Sequence, residues 1–171
     1  DGTSSGERSA DELLELHLAG GAEGVNIIPD RNYRAGVKDE KLQNLQRIVE
    51  AAVAREMFLV CGTEMNSPGN KFVDDFQTEE LRPLLPHFVR GAHIVYGHTV
   101  LAQYAGLGYV SDWSRRAFAA RADRNNFYET VGQLVPPARA AQLLRDLPAD
   151  RGPGAVLDAI LSALGCCGGA P

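Results

Sequence analysis

Three short apolar runs, each closing on a polar tip, constrain this chain more than any other feature. Met57 to Val60 is apolar and of strand length, it stops at Gly62, and the first carboxylate beyond it is Glu64. Gly24 to Asn32 repeats the plan and ends in Asp30, Arg31 and Asn32, while Ala92 to Thr99 runs into His98. Helical spacing fills the intervals between the runs, and parallel neighbours need crossovers of that kind. The reading is therefore an α/β fold of parallel β-strands joined by helices. In such folds ligands bind beyond the carboxyl ends of the strands. Asp30, Glu64 and His98 become a candidate acid/base or metal constellation on that ground.

The chain of 171 residues is long enough for one ordinary core. Its net charge of -5 argues against a nucleic-acid backbone as partner, which calls for a basic face. No apolar run approaches the roughly 18 residues of a membrane span. Nor does a basic segment followed by an apolar core open the chain, so no membrane partner and no secretory route are expected. Cys61 lies in an apolar run, and Cys166 and Cys167 are adjacent near the Gly-rich end. That usage suits a reducing compartment better than a disulfide scaffold, and a cytoplasmic location is expected.

Along the chain, Ser9 with Glu12 forms a capping box for a helix from Ala10 to Ala19, and Pro29 closes the strand that begins at Gly24. Leu42, Leu45, Ile48, Val49, Ala52 and Val53 fall at helical spacing between Asp39 and about Arg55. The loop after the second strand holds Asp74 and Asp75, expected as a solvated pair. A helix starting near Thr78 is expected to be compromised at Pro86. Ala92 to Tyr96 is expected as the third strand, with almost only helix after residue 99. Capping signals stand at Ser111 and at Asn126 with Glu129, and Pro137 and the Gly-Pro-Gly at 152–154 open the last two helices. Two regions result, a partial (β/α) domain over residues 1–110 and a helical C-terminal region over 111–171 packed on it.

The order of these residues resembles the PHP (polymerase and histidinol phosphatase) family of metal-dependent phosphoesterases. Asp1 and Gly2 look like the end of its Ser-Asp-Gly loop. Pro29-Asp30-Arg31 stands in the Thr-Asp-His place and Gly62-Thr63-Glu64 in the Gly-x-Glu place. Tyr96-Gly97-His98-Thr99 is similar to a later Ala-His-Pro strand end. The resemblance covers roughly residues 1–100. It implies part of a PHP-like (β/α) barrel, whose HxH strand would precede Asp1 and come from an upstream segment or a second chain. Family members hold up to three divalent ions. Arg31 stands where the family has histidine, and no late Asp-x-His follows.

What the resemblance implies about chemistry is metal-dependent hydrolysis. Glu64, His98 and Asp30 would be catalytic and would ligate zinc, manganese or iron. A bound divalent ion lowers the pKa of water to near 7 and neutralises charge developing on a phosphoryl or carbonyl oxygen. Arg31 and Arg34, whose guanidinium forks match phosphate oxygens, and Asn66 would bind a small, phosphorylated substrate. Two other readings stay open at this stage. One is a degenerate, noncatalytic relative that binds a ligand or a protein, and the other is one fragment of a larger hydrolase.

Overall fold

The computed structural model describes residues 9–29, 39–65, 68–69, 72–147 and 150–165. The chain divides into two compact units, residues 1–91 and 92–171, where the sequence reading set the division after residue 110.

The first unit is built around one β-α-β crossover. Helix α1, Ala10–Ala19, starts where the Ser9 side chain accepts a hydrogen bond from the Glu12 amide, and a turn through Gly20 and Gly21 follows it. Strand β1 is Gly24–Ile27 and strand β2 is Phe58–Cys61. They pair in parallel from Gly24 opposite Phe58 to Ile27 opposite Cys61, and the Gly62 amide extends the ladder by donating to the Ile27 carbonyl at 2.8 Å. Helix α2, Asp39–Ala54, makes the crossover and buries Leu45, Val49 and Ala52 against the strands. Its first turn carries Asp39 and Glu40, the charge that a helix N-terminus favours. Arg55 fastens α1 to the end of α2 through Asp11 at 2.7 Å and Glu15 at 2.9 Å.

The third strand expected from the sequence does not exist. A short 3-10 turn at Arg82–Leu84 leads into helix α3, Leu85–Ala105, and all of Ala92 to Tyr96 lies within that helix. Pro86 occupies its first turn, where a proline costs no helical hydrogen bond. Among the described residues the sheet is therefore an open pair of strands and the remainder is mostly helical. Two strands cannot close a barrel, and this overturns the expected PHP-like (β/α) barrel. The buried positions on α3 explain the difference. Phe88, Gly91, Ile94, Gly97, Val100 and Leu101 recur every three or four residues, which is a helical stripe and not a strand's alternation.

The second unit is helical. After the rest of α3 come α4 (Asp112–Ala117), α5 (Arg121–Leu134), a 3-10 turn at Pro137–Arg139, α6 (Ala140–Leu144) and α7 (Pro153–Gly165). Ser111 caps α4 through the Ser114 amide, as its spacing predicts. Asn126 and Glu129, expected as a second capping box, lie inside α5, whose first turn has no side-chain cap. α3 and α5 cross with their backbones in contact at two glycines. A Cβ on Gly97 would overlap the Tyr128 carbonyl, and one on Gly132 would overlap the His93 carbonyl. Buried polar groups pair inside the core: the Tyr128 hydroxyl donates to the Leu107 carbonyl at 2.7 Å and that of Tyr109 to Asn125 Oδ1 at 2.6 Å. No described helix is long and apolar enough to cross a membrane.

Candidate functional site

Asn26 and Cys61 lie at the carboxyl end of the strand pair, and Glu64 follows it along the chain. Asn26 leaves β1 with its amide laid over Gly62, so closely that a Cβ at Gly62 would stand 2.6 Å from Asn26 Oδ1. Glycine is what lets the two strand ends come together there. β2 ends in Cys61, and Glu64 follows three residues on, half-buried.

Asp74 is buried, contrary to its reading as half of a solvated loop pair. It is 7% exposed, whereas Asp75 remains in solvent and caps a turn by accepting the Gln77 amide at 3.0 Å. The two part company because Phe76 packs onto the core, edge-on to Phe88 with ring centroids 5.8 Å apart, and draws Asp74 inward with it. An aromatic residue two places after an aspartate in a polar loop was the available sign. The Asp74 carboxylate also acts on Cys61. Cys61 is exposed at the end of β2, yet desolvation by its surroundings, reinforced by that negative charge, pushes the thiol up to about 11. At neutral pH Cys61 is therefore a protonated thiol whose Sγ lies 3.8 Å from the Gly62 carbonyl, and it is not an activated nucleophile.

The six residues singled out in the sequence fare differently. Asp30, Arg31, Arg34 and Asn66 lie outside the described residues. Glu64 stands where the sequence put it, beyond β2. His98 does not stand at a strand end: it sits on α3, in the second unit. Its Nδ1 accepts the Tyr109 amide at 2.9 Å, and Gly108 packs against the same edge of the ring. That bond fixes the neutral tautomer with the proton on Nε2 and makes the imidazole a brace for the turn that follows α3. Among the described residues no group of three or more histidine, cysteine, aspartate or glutamate side chains is arranged to hold a metal.

Neither a scan against protein-family models nor searches of curated proteins and solved structures return a match for this chain.

Proposed function

We propose that the first unit binds a divalent cation at the carboxyl end of its strand pair and hydrolyses a small phosphoester there. The observation that carries the reading is Asp74, a carboxylate held out of solvent near the end of β2, in a unit whose next carboxylate along the chain from β2 is Glu64. A buried titratable group beside a strand end is a candidate functional group, since ligands of parallel α/β units bind beyond the carboxyl ends of the strands. The donor set decides among ions. With His98 placed on a helix of the second unit, the proposed donors are the oxygens of Glu64, Asp74 and Asn26. Hard oxygen donors suit manganese or magnesium better than zinc, and such ions are commonly held by one or two carboxylates while keeping several waters.

Glu64 and Asp74 would hold the ion, and the chemistry it would supply is a water acidified to near neutral pH. Asn26, with its amide fixed over Gly62, would orient a substrate oxygen through Nδ2. A free thiol at Cys61 agrees with a cytoplasmic setting for this activity.

A second reading, a noncatalytic binding domain, is favoured by the engagement of His98 with Tyr109, which removes the one imidazole expected to serve chemistry. Thermal melts of the full chain with and without manganese, paired with turnover of p-nitrophenyl phosphate, separate the two. The proposal expects a metal-dependent rise in Tm, absent in Glu64→Gln and Asp74→Asn, together with metal-dependent turnover. No rise in Tm, or a rise without turnover, defeats the hydrolase and leaves the binding reading.

A further inference from the structure

Residues 92–171 contain seven arginines, six carboxylate side chains and no lysine. Four of the arginines, Arg115, Arg116, Arg121 and Arg124, fall within ten residues, against the single carboxylate of Asp123. Helix dipoles account for part of this. Arg115 and Arg116 close α4, where a cation is favourable. Arg121 opens α5, where the dipole opposes a cation. Arg124 turns inward, its guanidinium 4.4 Å from the centroid of the Tyr109 ring. Arg115 and Arg116 are exposed, and neither has an ion-pair partner among the described residues.

Aromatic surface lies between these charges. Trp113 and Phe118 meet edge to face with centroids 6.0 Å apart, and both are only half-buried. The Trp113 Nε1 donates to the Arg151 carbonyl at 3.4 Å, which holds the backbone there against the indole. A tryptophan and a phenylalanine within a few residues of arginines, with no lysine in the unit, is the composition enriched at the energetic centres of protein interfaces.

We propose that this corner of the second unit, between α4 and α5, docks an acidic segment of a partner protein. Partner carboxylates would seat on Arg115 and Arg116, and an apolar side chain on Trp113 and Phe118. Guanidinium forks match carboxylates in two-point contacts, and opposite charge steers the encounter. Nucleic acid is the less suitable polyanion, because a phosphate backbone calls for an extended basic face and this one is confined to neighbouring arginines bordered by Asp112 and Asp123.

Trp113 is the only tryptophan, so its emission reports on the site directly. The probe is a fluorescein-labelled peptide of glutamate with leucine at every fourth position, titrated into the full chain by anisotropy and by Trp113 emission. Saturable binding that shifts the emission and weakens in high salt is expected, with Arg115→Glu/Arg116→Glu weakening it about tenfold or more. Arg47→Glu, an exposed reversal on α2, is expected to leave it unchanged. Absence of binding, equal loss in Arg47→Glu, or tighter binding of an oligothymidylate of the same length would overturn the proposal.

Discussion

At the scale of single residues, the pair Cys61 and Asp74 carries the most information. A thiol ordinarily ionises near 8.5. Here desolvation and the neighbouring carboxylate both disfavour the thiolate and push Cys61 up to about 11. Alkylation needs the thiolate, so labelling of Cys61 rises with pH and approaches half its limiting rate only near that value. Replacing Asp74 by asparagine removes the charge and leaves the desolvation. The pH profile should then move to lower pH, with several-fold faster labelling at pH 8. Iodoacetamide labelling followed by peptide mass mapping, which separates Cys61 from Cys166 and Cys167, measures it. An unmoved profile would place the Asp74 charge away from β2 and remove the support for the proposed cation site.

Among the elements, α3 is where sequence and structure part. Its buried stripe includes Gly91 and Gly97, which lack apolar side chains, so the run between them resembles a strand bounded by breakers. Their purpose is close approach. A Cβ on Gly91 would overlap the Leu59 carbonyl, and Gly97 and Gly132 bring the α3 and α5 backbones together. β1, β2, α1 and α2 were legible because their periodicity and caps are local and agree with their packing. The strand-end Glu64 was legible for the same reason. Asp74 was not, since its one local sign, Phe76 two residues on, does not say which core that ring reaches. His98 was misplaced along with the helix that carries it. Alanine at Gly97 or Gly132 gains helix propensity but must force two backbones apart, and overpacking of this kind costs about 1–3 kcal/mol or more. Urea denaturation followed by Trp113 fluorescence should show both variants destabilised, whereas Gly154→Ala, where a Cβ meets nothing within 4 Å, should be near neutral.

For the molecule as a whole, the question is whether its two units unfold together. The first has its own core, with Leu14, Leu45, Val49 and Leu59 at 3% exposure or less. The second has another, where Leu101, Tyr128, Val131, Val156 and Ile160 are completely buried. Helix α3 runs through the boundary and gives Phe88 to the first and Ile94 and Leu101 to the second. A continuous helix transmits little of a neighbour's loss when its far half is held by its own packing, because a helix frays turn by turn. Leu45→Ala should cost the first unit about 2–5 kcal/mol, and Ile160→Ala should cost the second a similar amount. Trp113 belongs to the second unit, so its urea midpoint should fall in Ile160→Ala and hold in Leu45→Ala, while far-UV circular dichroism registers both. If Leu45→Ala lowers the Trp113 midpoint as far as Ile160→Ala does, the two cores form one cooperative body. The effects of the proposed cation site would then reach the arginine corner through stability alone.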